Sequence, residues 1–491
     1  MALAGRMYWP GRYSISATSL CKCAAFGGRI GPVQIRSAEL LAKSTALVEH
    51  HGVSSHRTAE TCPAKKVLLI MNVLARINSA LLYPFARVIV GAQSNVQRIK
   101  TMNKKHKVIF EAPYAGQPIM LLALYQKGRL RPDLIRLVQA ARQQGIYVLG
   151  VNTLKVKAPE ELEGVFDCYI ERPNFGRDFG SYKTGFLHFF ARKWEQTCPR
   201  LLMLNDSVYY STRGLDKFLT DMITSETEVL GSTENYEIEY HLGSFAIAMA
   251  QSVLKSERFR KYWKSYRLTD VRPLVIIRGE MKLSRVLKRC VSTPSQFKAL
   301  YSSVRFLEMI KECPELQNTM IIDSRTSTLV DWPRFGVKAI NKLLADRFIT
   351  RRYILDDELD VSVEADIKDL NEDILIAGRD DFANYLLRNV KNKSAAFDDI
   401  LNETFAAVAS ETFMLGSQIH QNAAVLLEIG LPIIKLDGLY RGMFNNYDIL
   451  RLQNKLQETE ARELSALLLD RPFGGQMLIG WKRSAFMKGL I

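Results

Sequence analysis

Cysteine is scarce in this 491-residue chain, and its seven copies follow no framework. Cys21, Cys23, Cys62, Cys168, Cys198, Cys290 and Cys313 are odd in number and scattered. That excludes a disulfide-stapled secreted domain and reads as reduced intracellular thiols. Cys21 and Cys23 form a Cys-x-Cys pair, but no second Cys/His pair follows at zinc spacing, so they read as surface thiols. Long apolar runs are missing too. A membrane-spanning helix needs about 20 consecutive apolar residues. The longest candidate, residues 67–90, is interrupted by Arg76, Pro84 and Arg87. No apolar core follows the early arginines, so no signal peptide is legible. The expectation is an intracellular chain that does not span a membrane. There is no P-loop, no complete Gly-x-Gly-x-x-Gly fingerprint and no nucleophile elbow, which removes the usual support for NTPase, dinucleotide or Ser-His-Asp chemistry. Acids are also outnumbered. Lys and Arg total 67 against 51 Asp and Glu, a formal net charge of +16. Such a balance favours an anionic partner: a phosphorylated small molecule, an acidic membrane surface or nucleic acid.

What is present is ordinary globular composition, with 47% hydrophobic and 24% charged residues. Residues 1–64 are rich in Gly, Ser, Ala and His and read as a poorly ordered leader. In residues 65–104, Asn72, Arg76, Ser79, Tyr83 and Arg87 recur every three or four positions and leave a wide apolar face. That pattern suits a helix packed on a core. It also suits an interfacial helix on an anionic membrane, because Arg98, Lys100, Lys104, Lys105 and Lys107 follow closely. From residue 106 strands and helices alternate. Residues 107–111, 146–152, 168–171 and 200–206 read as strands, and 132–144 and 180–194 as helices. The fold class is therefore α/β, a Rossmann-like sheet of parallel character whose ligands sit at the carboxyl ends of the strands. This domain is expected over residues 105–350. An acidic block at 356–373, with nine acids and one lysine, marks the passage to a mainly helical region over 351–491. A basic block at 251–289 holds twelve Lys/Arg against three acids.

Three segments carry chemistry. RPNFGRDFGSY (172–182) lies between a strand and a helix; Gly176 and Gly180 let the backbone turn, and Asn174, Arg177 and Asp178 bring two donors and a carboxylate to one loop. LLMLNDSVYY (201–210) is an apolar strand running into Asn205, Asp206 and Ser207, which projects a carboxylate at the strand's end. IIRGEMKLSRVL (276–287) sets Glu280 after Gly279 amid Arg278, Lys282, Arg285 and Lys288, a setting that favours the carboxylate. Asn152 ends another strand, Lys183 follows the first loop, and His241 opens the segment HLGSF, where it reads as a helix cap or core residue.

These segments, in this order, resemble the rhamnan synthesis protein F family. The matching elements are NFGRDFGSYK (174–183), LNDS (204–207), HLGSF (241–245), residues 259–263, and Glu280 with Leu283 and Ser284; GLPIIK (430–435) looks familiar again. The resemblance implies a GT-A-like glycosyltransferase, rhamnosyltransferase-like, that moves a deoxyhexose from a nucleotide-sugar donor to a polysaccharide or lipid-linked glycan acceptor with inversion. Asp206 then holds a divalent cation, Mg or Mn, against the donor diphosphate. Glu280 is the base that deprotonates the acceptor, with Asp178 its rival. Asn152, Asn174, Arg177, Lys183, Asn205, Ser207 and His241 are the expected donor and acceptor contacts. The implied location is peripheral, on the cytoplasmic face of the inner membrane. Two departures, a single acid in NDS and Gly243 in place of a glutamine, motivate the alternative of a non-catalytic assembly subunit with a degenerate transferase fold. Nucleic acid is not expected as a partner, since the basic block with Phe259, Tyr262, Trp263 and Tyr266 matches no recognised binding signature.

Overall fold

The computed structural model of the chain describes residues 83–323, 379–381, 384, 397–414 and 417–491. The expected leader, residues 65–82 and the acidic block lie outside the described residues. What is described falls into two compact units, one of residues 83–92 with 478–491 and one of residues 93–477.

Among its described residues the larger unit has eleven strands: β1 (Lys107–Glu111), β2 (Ile119–Leu124), β3 (Tyr147–Asn152), β4 (Cys168–Glu171), β5 (Arg200–Asn205), β6 (Val208–Tyr210), β7 (Val229–Asn235), β8 (His241–Leu242), β9 (Ala246–Ala250), β10 (Phe297–Tyr301) and β11 (Ile433–Lys435). The main sheet runs β1-β4-β3-β2-β5-β9-β7-β10, with β8 added beside β7. β4, β3, β2 and β5 are mutually parallel, as are β7 and β10. β9 is antiparallel to both β5 and β7, and β1 is antiparallel to β4 at the edge. The sheet is thus mixed, with three reversed strands, β1, β8 and β9, in a mainly parallel frame.

Period-two alternation sorts its side chains onto two faces. Met120, Leu122 and Leu124 of β2 enter one core with Leu202 and Leu204 of β5, under the helices Pro132–Gln143 and Leu215–Thr224. Ile119, Leu121 and Ala123 enter the other with Leu201 and Met203, under Arg177–Ala191 and Glu257–Ser265. Helices on both faces explain why β2, β3 and β5 are buried at every position.

Several boundaries differ from the sequence pattern. The helix expected from residue 180 starts at Arg177, so Asp178 sits in its first turn instead of in a loop. β5 stops at Asn205, one residue before Asp206. His241 begins a short strand, not a helix, because it pairs across from Asn235 of β7. Glu280 lies inside a π-helical turn, Ile276–Met281, between two α-helical pieces.

The C-terminal segment crosses back to the sheet. Its helix Phe397–Met414 packs on Ser303–Glu312, with Phe306 and Phe413 stacked at 4.1 Å. β11 then pairs antiparallel with β6, setting Lys435 opposite Val208 at the carboxyl end of β5. The helix Tyr83–Met102 carries exposed Phe85, Val88, Val96, Ile99 and Met102 along its length. Among the described residues, no helix is long and apolar enough to cross a membrane.

Candidate functional site

The chain leaves β2 toward β3 and β4 on one side of the sheet and returns through β5 on the other. That reversal opens a crevice at the carboxyl ends of β2 and β5. The loop after β4 reaches toward it and is shaped from inside by Arg172. This buried guanidinium donates to the carbonyls of Pro173 (2.9 Å) and Phe175 (2.6 Å), to that of Arg177, and to Ser181 Oγ (2.8 Å). Burial pushes its pKa down to about 10, opposed by the charges of Asp178 and Asp270. Gly176 takes φ +90°, which suits glycine, and Arg177 follows at φ +51°, an uncommon value for a side-chain-bearing residue. The Gly176 N–H donates to Asp270 Oδ1 at 2.7 Å, and Arg177 Nε to the Asp270 carbonyl at 2.9 Å.

This turn sets Asp178 at a helix N-terminus, where a carboxylate is favoured. Its Oδ1 accepts from the Phe179 N–H (3.0 Å), and its Oδ2 from Asn205 Nδ2 (3.2 Å). A polar chain continues from there. Ser207 Oγ donates to Asn205 Oδ1 at 2.6 Å, and Lys435 Nζ donates to Ser207 Oγ at 2.8 Å. Burial and the Glu280 charge raise the pKa of Asp178, against Lys435, the Phe179 N–H and Arg177. Asp178 and Glu280 therefore act on each other across about a hundred residues of sequence.

Glu280 owes its position to Gly279. A Cβ at residue 279 would meet the Phe179 ring at 2.8 Å, so only glycine lets the π-helical turn lie on that ring. Tyr262 fixes the turn from beneath by donating to the Arg278 carbonyl at 3.1 Å. The cations expected around Glu280 are partly engaged elsewhere: Arg285 pairs with Glu239 at 2.8 Å, and Lys288 donates to the Tyr240 carbonyl at 2.8 Å. The ionic neighbour of Glu280 is instead His241, with Nε2 at 3.9 Å from Oε2. His241 is 2% exposed, and its Nδ1 lies 2.8 Å from the Glu239 carbonyl. A carbonyl only accepts, so Nδ1 is the ring nitrogen that donates there, and Nε2 is the one turned toward Glu280. That Nε2 has no hydrogen-bond partner among the described residues. A buried polar atom without a hydrogen-bond partner thus lies beside a carboxylate that is 28% exposed.

Asp206 is placed differently. Its Oδ2 accepts from the Tyr125 N–H at 2.6 Å and from Gln126 Nε2, while its own N–H and carbonyl are held by Ala123 and Arg131. Burial raises its pKa, opposed by Arg131 and these donors. Asn152 serves the same loop. It is fully buried, takes the Gln126 N–H at 3.0 Å and donates to the Gln126 carbonyl and to Tyr169, each at 2.9 Å. Lys183 caps a neighbouring helix by donating to the carbonyls of Lys264 (3.1 Å) and Tyr266 (2.7 Å). Asn174 is exposed, and its carbonyl accepts from Gln97 at 2.8 Å.

The expected site residues thus separate. Asp178, Asn205, Ser207, Glu280 and His241 converge, with Arg177 beside them; Asn152, Asp206 and Lys183 hold protein segments in place. Asp206 has Oδ2 occupied by two N–H donors, which leaves Oδ1 as its free oxygen. It also belongs to no set of three potential metal-ligand atoms. Among the described residues such a set forms only at Glu111, Cys168 and His188, at the opposite, amino end of β4. Sequence reasoning missed Arg172, Asp270 and Lys435. Arg172 stood in the motif, but nothing signals that a guanidinium will bind carbonyls; Lys435 arrives only through the β6–β11 pairing.

Comparison with known proteins agrees with the motifs. Residues 146–290 match the family described as rhamnan synthesis protein F, the family the sequence resembles. An uncharacterised protein of Sinorhizobium fredii, y4gN, is 26% identical over 171 residues, covering 34% of this chain and 44% of that one. The virulence protein VirA of Vibrio anguillarum is 29% identical over 119 residues, covering 24% of this chain and 38% of that one. The chain thus spans less than half the length of these curated relatives.

Proposed function

We propose that this chain is a GT-A-like glycosyltransferase of polysaccharide synthesis that moves rhamnose or another deoxyhexose from a nucleotide-sugar to a growing glycan, with inversion. The observation that carries the reading is the convergence of Glu280, His241 and Asp178 at the carboxyl end of a doubly covered α/β sheet, inside the segment that matches the rhamnan synthesis family. The crevice between β2 and β5 is where such sheets take nucleotides, and the reversed β9 beside β5 suits the GT-A reading.

In this mechanism the acceptor hydroxyl lies against Glu280. The carboxylate takes its proton as the oxygen attacks the anomeric carbon; the bond from that carbon to the diphosphate breaks, and its electron pair leaves with the diphosphate. Back-side attack inverts the configuration. His241 Nε2 hydrogen-bonds a second hydroxyl of the acceptor sugar and so aligns the first. Asp178, held by Asn205 and the Phe179 N–H, faces the same space and shapes its charge. Membrane association through the exposed apolar residues of Tyr83–Met102 would bring the enzyme to a lipid-linked acceptor on the cytoplasmic face of the inner membrane. A donor screen with dTDP-rhamnose, GDP-rhamnose, GDP-fucose and UDP-sugars tests the proposal. Turnover of one of them supports it, and binding of none would overturn it.

A further inference from the structure

We propose that Arg177, Arg272, Lys435, Arg441 and Arg471 form a diphosphate subsite, so that side-chain cations, not a divalent metal, neutralise the leaving group of the donor. The inference rests on the glycosyltransferase reading and names the part of that site supplied by the C-terminal segment. It starts from Asp206, the carboxylate where a metal would be held: its Oδ2 is engaged by Tyr125 and Gln126, and among the described residues it belongs to no set of three potential ligand atoms.

The five cations come from four stretches of chain and lie within electrostatic reach of one another: Lys435 and Arg177 act on Asp178, Arg272 and Arg471 on Arg177, and Arg272 on Arg441. Lys435 is fixed by the β6–β11 register, by Ser207 Oγ at 2.8 Å and by the Phe245 ring 5.6 Å away. Three residues past the end of β11, the helix Gly438–Arg441 presents Tyr440, whose ring lies 5.4 Å from Arg441 Cζ and 4.3 Å from Arg471 Cζ. Two guanidiniums are thus held on one aromatic ring. Arg441 Nε also reaches Asp437 Oδ2 at 3.3 Å, and His420 Nε2 buttresses the other oxygen of Asp437 at 3.1 Å. From the other wall comes Arg177, anchored through Nε to the Asp270 carbonyl, with Arg272 two residues beyond that aspartate. Among the described residues, the terminal nitrogens of Arg177 and the guanidinium of Arg272 have no hydrogen-bond partner.

These positive groups repel one another. Burial is the main cause disfavouring the charged forms of Arg177 and Arg441; Arg272 adds to it at both and Arg471 at Arg177, while Asp178 and Asp270 oppose it at Arg177 and Asp437 at Arg441. These carboxylates offset part of the repulsion, and an anion of two or more charges bound among the cations would offset the rest. A guanidinium also meets phosphate oxygens through two parallel N–H bonds, which suits a diphosphate better than a lone carboxylate. The adjacent Asp178 and Glu280 would repel that anion, which keeps the diphosphate toward the arginines and the reacting carbon toward the carboxylates.

The test is calorimetric titration of the full-length protein, in EDTA, with inorganic pyrophosphate and with GDP, UDP and dTDP. Binding is expected without metal, and Arg272→Gln and Lys435→Met should each weaken it by about tenfold or more, the scale of one charge-assisted hydrogen bond. Arg258→Gln, at an exposed site on the basic helix Glu257–Ser265, should leave affinity unchanged and controls for lost net charge. If binding appears only when Mg or Mn is added, or if Arg272→Gln and Lys435→Met bind as the wild type does while melting normally, the subsite is refuted. Diphosphate binding in EDTA without turnover of any sugar nucleotide would leave the subsite standing and remove the transferase reading.

Discussion

Gly279→Ala is the sharpest single-atom test of how the Glu280 turn is held. The added Cβ would sit 2.8 Å from ring carbons of Phe179. Carbon atoms rest at about 3.5–4.0 Å, so roughly 0.7 Å or more of separation must be made. Phe179 cannot supply it, because its ring is packed against Tyr182, Trp263 and Tyr266 with centroids 5.5–6.2 Å away. The turn must move instead, and it carries Glu280. Overpacking of this kind costs about 1–3 kcal/mol. A misplacement near 1 Å of a reacting group costs on the order of 10²-fold in rate. The expected result is a moderately lowered melting temperature with a much larger loss of kcat, and partial recovery of both in Gly279→Ala combined with Phe179→Leu. Thermal denaturation and steady-state kinetics on the wild type, both single variants (Gly279→Ala and Phe179→Leu) and the double variant check it. If Gly279→Ala melts and turns over like the wild type, the turn is not held by that contact and the reasoning fails.

Other predictions follow from the same geometry. Arg172→Ala strips donors from three loop carbonyls and Ser181, and at about 1–3 kcal/mol per buried unsatisfied group it should destabilise the protein by roughly 3 kcal/mol or more in urea titrations. Asp178 has a raised pKa when folded, so the native state holds its proton more tightly than the unfolded chain and stability falls as pH rises above the ordinary value of 3.8. Asp178→Asn should therefore gain stability over the wild type at neutral pH and lose that advantage below the ordinary value, as denaturation at several pH values would show. Replacing exposed Val96, Ile99 and Met102 with serine should abolish flotation with anionic liposomes; equal flotation would place any membrane contact elsewhere.

Much of the sheet was legible because its strands are short apolar runs bounded by polar residues, and Lys107–Glu111 and Cys168–Glu171 stand where the pattern puts them. β2 was not legible. Its sequence, IMLLAL, is buried on both faces and so lacks alternation, and Leu, Met and Ala favour helices as readily as strands. The π-helical setting of Glu280 was equally hidden, since it depends on a ring a hundred residues earlier. Asp178 and Glu280 were legible as chemistry but not as neighbours. Asn152, Asp206 and Lys183 show the limit of reading function from polar residues at strand ends. Each such residue can bind a ligand or the adjoining loop, and here tertiary contacts bind the loop or a helix end.

The most direct test of the central claim compares wild type, Glu280→Gln and Asp178→Asn, with donor binding measured by calorimetry and transfer measured on the sugar nucleotide that the screen selects. The account predicts that Glu280→Gln binds the donor as the wild type does and loses turnover by roughly 10²–10⁴-fold, the scale of a general base. Normal turnover by Glu280→Gln together with a dead Asp178→Asn would contradict it and move the base to Asp178.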